Sequence, residues 1–283
     1  MKNSSAGDLI LARKARRQGA KKMLVILQGL APLGLVALPD GRNVHILKHD
    51  AAVASFIRDR VVTLANQAIA DRGAFAMSIG SGTTVKPLVQ LATDIDWSKV
   101  HLFFGNDRTE GEAAGKCFDG AQEFISTCGI PTSNVHRAPS LPAEESAAAY
   151  EAELRACEVV GVNGRSGLPA LDLVLLGSGA DGHCASLYPE SSQVVCSPDS
   201  GRVYLAAEGK GGITLSIDAI NSARNVILSA GKPAQADMVR KCLGWSNAAT
   251  NHKLPAGMIA ASEETAVEWL LTEESAVGLP ALV

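Results

Sequence analysis

Apolar residues in this chain fall into short runs separated by longer stretches with helical spacing, and the alternation continues almost to the C-terminus. "NVHILK" (Asn43 to Lys48) reads as a strand. In "DAAVASFIRDRVVTLANQAIADRG", which follows, Asp50 is placed to cap a helix, apolar residues recur three and four apart, and Gly73 supplies the stop. "AFAMSIG" is a buried strand, "TTVKPLVQLA" the start of a helix and "KVHLFFG" another strand. Helical stretches run from about Glu112 to Ser126 and from Ala143 to Cys157. "LDLVLLG", "ITLSI" and "NVILSAG" add strands, "AQADMVRKCLG" a late helix, and "VNGRSGLP" (Val162 to Pro169) a loop. Strands rich in Val, Ile, Leu and Phe that alternate with amphipathic helices predict an α/β fold. The form expected is a doubly wound, mostly parallel, Rossmann-like sheet with helices on both faces.

Length and composition narrow the picture. With 283 residues, 47% of them hydrophobic, the chain can bury a substantial core in one large α/β domain or two smaller ones. No linker or repeat interrupts the pattern, so residues 43–283 are read as one domain and residues 1–42 as a basic N-terminal extension. A net charge of −3 creates no field that draws the folded domain to nucleic acid or to an anionic membrane, and points to small-molecule partners. The cysteines at 117, 128, 157, 184, 196 and 242 form no CxxC pair and no zinc-ligand spacing, so reduced thiols in a cytoplasmic setting are expected, with no metal. "MLVILQGLAPLGLVALP", from Met23, is broken by Gln28, Gly29, Pro32 and Gly34 and falls short of the roughly 18 uninterrupted apolar residues of a membrane span. Upstream, "LARKARRQGAKK" carries Arg13, Lys14, Arg16, Arg17, Lys21 and Lys22, with Asp8 the only acid before Asp40. That is the character of an organelle transit peptide, for a plastid or mitochondrion, and equally of a solvated tail that docks a protein partner.

Ligands of open α/β sheets bind beyond the carboxyl ends of the strands, which directs attention to three turns. In "SIGSGTTVKP" (Ser78 to Pro87), Gly80, Ser81, Gly82, Thr83 and Thr84 can converge backbone N–H groups on an anion, with Lys86 close behind. An ordinary glycine-containing turn fits that stretch equally well. In "HLFFGNDRTEGE", Arg108 can clamp a phosphate or carboxylate or face a developing oxyanion, or simply pair with Asp107 or Glu110. The third turn is in "LDLVLLGSGADGHCASLYP" (Leu171 to Pro189). There Gly177, Gly179 and Gly182 permit close backbone approach, His183 can exchange a proton near neutral pH, and Asp181 can orient it. His45, His49, His101, His136 and His252 have no comparable setting. A strand end, a glycine turn and a histidine coincide only here, which favours catalysis at His183.

"DLVLLGSGADGHCASLYP" resembles the "DLLLLGMGPDGHTASLFP" signature of 6-phosphogluconolactonases, a family that shares a superfamily with glucosamine-6-phosphate deaminases. Further segments follow in the family's order: "SIGSGTTVKPLVQLA", "HLFFGNDR", "GIPTSNVHRAP", "ITLSIDAINSARNVILSAG" and "KLPAGMI". The resemblance covers about Asn43 to Val283. It implies hydrolysis of 6-phospho-D-glucono-1,5-lactone to 6-phosphogluconate, in the oxidative pentose phosphate pathway, without a cofactor or metal. His183 would be the general base, Asp181 its positioning partner and Arg108 the active-site arginine. The loop Gly80 to Thr84 would hold the 6-phosphate, with Gly179, Gly182 and Lys232 also near the substrate. After the Asp-Gly-His element, deaminases carry a segment resembling "IAFNEPGS"; this chain has "CASLYPES", with Tyr188 and Pro189 in place of the Asn-Glu pair, which is the lactonase form.

The chain also departs from the family pattern. Paired glycines become Ser81-Gly82, Asp-Glu-Arg becomes Asn106-Asp107-Arg108, and "SNY" becomes Lys116-Cys117-Phe118. The arginine before "ITL" becomes Gly212, and the lysine after "AG" is displaced, with Lys232 as its substitute. Two further readings therefore stand beside lactone hydrolysis: a lactonase-like binding or structural subunit, and, third, a deaminase.

Overall fold

The computed structural model describes residues 34–196, 200–207, 209–243 and 253–279. The basic stretch of the N-terminal extension, with the targeting and docking expectations attached to it, lies outside the described residues, as does His252. The strands are β1 (Gly34–Ala37), β2 (Asn43–Leu47), β3 (Phe75–Ile79), β4 (Val100–Phe104), β5 (Asn106–Arg108) and β6 (Gly161–Val162). They continue with β7 (Pro169–Ala170), β8 (Leu173–Gly177), β9 (Tyr204–Ala207), β10 (Gly212–Leu215), β11 (Asn225–Ser229) and β12 (Ala266–Thr272). The helices are α1 (Asp50–Arg72), α2 (Lys116–Gly120), α3 (Gln122–Cys128), α4 (Ala143–Ala156), α5 (Ser192–Cys196), α6 (Ile217–Ser222) and α7 (Ala236–Leu243).

Seven strands form one sheet in the order β1-β2-β12-β11-β8-β3-β4, and all neighbours are parallel except the β1–β2 hairpin at the edge. The central strands are apolar on both faces, as a sheet covered on both sides requires. Leu173 and Leu175 of β8 join Phe56, Ile57 and Val61 of α1 in one core. Val174 and Leu176 face the other way, toward Tyr150 of α4, Ile220 of α6 and Met238 of α7. Glu268 of β12 ties this frame together through Arg60 of α1, at 2.5 and 2.8 Å, and His45 of β2, at 3.0 Å. Among the described residues, no helix is long and apolar enough to cross a membrane.

The doubly wound, mostly parallel architecture is thus present, with local differences. The expected boundary at Asn43 falls inside the β1–β2 hairpin, where Gly34 pairs with Ile46 and Gly41 turns at φ +87°. α1 is capped by His49, whose Nδ1 accepts the Ala52 N–H at 3.2 Å, rather than by Asp50; its Gly73 stop, at φ +84°, is as expected. "TTVKPLVQLA" forms turns and a 3-10 segment, Lys86–Leu91, instead of an α-helix. Three consecutive β-branched residues, Thr83, Thr84 and Val85, followed by Pro87, disfavour helical propagation there. The helix expected over residues 112–126 is broken at Gly120 and Ala121 into α2 and α3. "ITL" leaves the main sheet: β10 lies between β5 and β9 in a separate antiparallel sheet. "VNGRSGLP" is the loop of the small β6–β7 hairpin.

Because β3, β4, β8 and β11 run parallel, their carboxyl ends deliver four segments to one edge: residues 80–86, 105–108, 178–188 and 230–235.

Candidate active site

Glycines set how closely these segments meet. Beyond β8, the Gly179 N–H donates to the His183 carbonyl at 2.9 Å, and the Gly182 N–H donates to the Gly179 carbonyl at 3.1 Å. Gly182 turns at φ +88°, a left-handed conformation that favours glycine, and a Cβ there would meet Leu254 Cβ at 3.0 Å. Ser178 closes the turn, its hydroxyl donating to the His183 carbonyl at 3.0 Å. Gln235, at the start of α7, in turn donates its side-chain amide to the Ser178 carbonyl. The turn is therefore braced from β11's connection as well as from its own backbone.

Within this turn, Asp181 Oδ1 accepts from His183 twice: from ring Nδ1 at 2.7 Å and from the backbone N–H at 3.2 Å. A carboxylate only accepts, so Nδ1 carries the proton and Nε2 presents its lone pair outward. Partial burial pushes the Asp181 carboxyl up, but the two donations and the neighbouring imidazole outweigh it and hold the group below its ordinary value. The imidazole side chain is 33% exposed, enough for water or substrate to reach it. A Cβ on Gly179 would stand 2.2 Å from His183 Nδ1 and 2.4 Å from Asp181 Oδ1, so the pair occupies the space a side chain would take.

Tyr188 lies against the histidine, ring centroids 4.8 Å apart, and the Lys210 ammonium sits 4.9 Å from the Tyr188 ring centroid. The Lys210 carbonyl accepts from the Arg108 guanidinium. Arg108 is thereby joined to the His183 neighbourhood through two residues that the linear reading had not assigned to the site. Asp107, which is buried, accepts the backbone N–H groups of Arg108 and Cys117 at 2.8 Å each and of Phe118 at 3.1 Å. Burial raises its pKa, and these donors together with Arg137 only partly offset the effect. Its role is to fix β5 against the start of α2. Asn106 bridges to the turn after His183 by donating to Ser186 Oγ at 3.1 Å.

A cavity of about 400 Å³ opens beside the turn, lined among others by Asp50, Thr83, Lys86, Ser178, Lys232 and Gln235. It brings together the Thr83–Lys86 part of the expected phosphate loop and Lys232, whose ammonium pairs with Asp50. Gly80, Ser81 and Gly82 precede Thr83 in the chain but are not part of its lining; Gly82 turns at φ +87°. Thr84 points inward and is buried. A larger cavity, about 580 Å³, lies where the chain enters the amino ends of β8, β11 and β12. There Asn163 Oδ1 accepts from Arg165 N and Ser166 N at 3.0 Å, and Ser166 and Ser222 hydroxyls are 2.7 Å apart. That volume is remote from the histidine and its polar groups serve the loop, so size does not make it the reactive site.

Known proteins are similar to this chain in sequence and in fold. The family described as glucosamine-6-phosphate isomerases/6-phosphogluconolactonase matches residues 48–269. A 6-phosphogluconolactonase of Mycobacterium tuberculosis is 30% identical over 234 residues, 78% of this chain and 92% of that protein. One from a Nostoc species is 31% identical over 194 residues, 66% of this chain and 78% of its own length. Among solved structures, 6-phosphogluconolactonase from Trypanosoma cruzi superposes with a TM-score of 0.69 at 17% identity, covering 86% of this chain and 99% of its own. A monomeric glucosamine-6-phosphate deaminase has the same fold, with a TM-score of 0.61 at 14% identity over 82% of this chain and 98% of its own. The sequence matches, spanning the turn of His183 and the strands that carry it, establish that this chain belongs to the glucosamine-6-phosphate isomerase/6-phosphogluconolactonase family.

Proposed function

We propose that the chain hydrolyses 6-phospho-D-glucono-1,5-lactone to 6-phosphogluconate. The observation that carries this reading is the His183–Asp181 pair at the end of β8, with the Tyr188 ring tilted against the imidazole where the deaminase branch has its Asn-Glu pair. A deaminase needs that glutamate for ring opening and isomerisation. Lactone hydrolysis needs only a base, a charge stabiliser and a grip on the phosphate.

His183 Nε2 takes a proton from water as the water oxygen bonds to C1, and the carbonyl electrons move onto oxygen. The tetrahedral intermediate then collapses, the bond from C1 to the ring oxygen breaks, and the imidazolium returns its proton to that oxygen. Asp181 keeps the productive tautomer and stabilises the imidazolium, the same division of labour as in a Ser-His-Asp triad. Arg108 faces the developing oxyanion; a guanidinium has five donors, and its bond to Lys210 uses one. Thr83, Lys86 and Lys232 hold the 6-phosphate in the adjoining cavity, helped by the backbone of Gly80 to Thr84. Lys210 adds positive charge next to Tyr188.

Purified protein is expected to accelerate acid release from freshly generated lactone above the spontaneous rate and to release no ammonia from glucosamine 6-phosphate. Ammonia release would establish the deaminase instead. No acceleration and no binding of 6-phosphogluconate would favour the binding or structural subunit. Gly179→Ala supplies a second check. It forces the imidazole away from Asp181, and a displacement of about 1 Å is expected to lower kcat by roughly 10²-fold with little change in KM. The enzyme is proposed to work in the cytoplasm if the basic N-terminal extension remains attached and in an organelle if it is cleaved as a targeting segment. The N-terminus of the mature protein distinguishes the two.

A further inference from the structure

His101, His136 and Cys157 converge at the amino end of β4, the end opposite the one that leads to Arg108. His101 Nδ1 lies 3.1 Å from His136 Nε2 and 3.7 Å from Cys157 Sγ, and the three donor atoms are all within 4.8 Å of one another. In a tetrahedral zinc site with Zn–N about 2.0–2.1 Å and Zn–S about 2.3 Å, N···N edges are about 3.3 Å and N···S edges about 3.6 Å. Two of the observed separations match those edges to within a few tenths of an ångström.

Packing has already oriented the donors. The His136 ring lies flat on the buried Phe103 ring, with centroids 4.1 Å apart and planes 2° from parallel. Its backbone N–H donates to the Leu102 carbonyl at 2.9 Å, and its carbonyl accepts the Tyr150 hydroxyl at 2.7 Å. Glu153 Oε1 stands 2.8 Å from His136 Nδ1. That contact keeps the proton on Nδ1 and turns the Nε2 lone pair toward the cluster, the carboxylate–histidine arrangement that accompanies metal-bound imidazoles. Cys157 caps the C-terminus of α4. All three residues are half-buried, so an ion would have a solvent-facing position for water.

We propose that His101, His136 and Cys157 form a zinc-binding site, with Glu153 orienting His136. Two imidazoles and a thiol favour zinc over the oxygen-seeking magnesium and calcium. Binding forms a Zn–S bond and releases the thiol proton to solvent. The ion cross-links β4, the segment at His136 and the end of α4, so its role is structural and independent of lactone hydrolysis.

The test is zinc titration of chelator-treated full-length protein against a chromophoric chelator, with cobalt substitution in parallel. One zinc ion per chain, a rise in melting temperature with zinc, and a thiolate-to-cobalt charge-transfer band are expected. Cys157→Ser should remove that band and weaken zinc binding while leaving lactone hydrolysis unchanged. Glu153→Gln, on the solvent side of the site, should weaken zinc binding by about 10–100-fold. Absence of binding, or binding and cobalt spectra unaltered in both variants, would overturn the assignment.

Discussion

His183→Ala is expected to lower kcat for lactone hydrolysis by about 10²–10⁴-fold, the usual contribution of a positioned general base, while KM stays near the wild-type value. The division between kcat and KM follows from where the groups sit. The phosphate contacts assigned to Thr83, Lys86 and Lys232 line the cavity beside the turn, whereas His183 stands outside that lining, and its proposed task is to take a proton from the attacking water at Nε2. Removing the imidazole therefore leaves substrate binding in place and removes proton transfer. Stability should change little, because the side chain is 33% exposed and the turn is held by backbone bonds that alanine retains. Steady-state kinetics on fresh lactone with a thermal melt of the same preparation measures both. A variant that turns over within a few-fold of wild type would show that another group is the base.

The catalytic turn is legible in the sequence because its determinants are local. Asp181 and His183 are two residues apart, and the glycines that let them meet lie within the same stretch. The parallel sheet is legible for a similar reason: β3, β4, β8 and β11 are short runs made mostly of apolar residues. What was not legible depends on partners distant in sequence. Tyr188 and Lys210 meet through the side sheet, and Lys210 lies in a "GKGG" turn whose composition says only that the chain bends. The strand character of "ITL" is evident, but its departure from the main sheet depends on pairing with β5 and β9. His101 is separated by 35 residues from His136 and by 56 from Cys157, so no spacing motif announces the cluster. Likewise His49 takes the cap expected of Asp50, because the helix already begins at Asp50 and its N-cap position falls on the extended residue before it; Asp50 instead pairs with Lys232, 182 positions away.

Gly212→Arg, which restores the residue of the family pattern, is expected to damage the protein rather than improve it. β10 pairs with β5 so that Gly212 faces Arg108, and a Cβ at position 212 would stand 2.1 Å from the Asp107 carbonyl oxygen and 2.9 Å from Arg108 Cα. Both obstacles are backbone, so no rotamer change relieves them and the strand pair must open. The cost is about 3 kcal/mol, the upper part of the range for overpacked sites. In a domain of this size that lowers Tm by about 6–12 °C. Activity should fall as well, because Arg108 rides on the displaced strand and Asp107 anchors that strand to the start of α2. Lys210 separates the two contributions. It places a cation two residues before Gly212, over Tyr188, and Lys210→Met should raise KM by about tenfold, the worth of one hydrogen bond to a charged group, with Tm unchanged. Loss of stability at 212 together with loss of affinity alone at 210 would mean that this chain carries its positive charge on a different residue because its side sheet packs too closely to admit one at 212. A Gly212→Arg protein as stable as wild type, with a lower KM, would mean instead that the glycine is simply a lost contact.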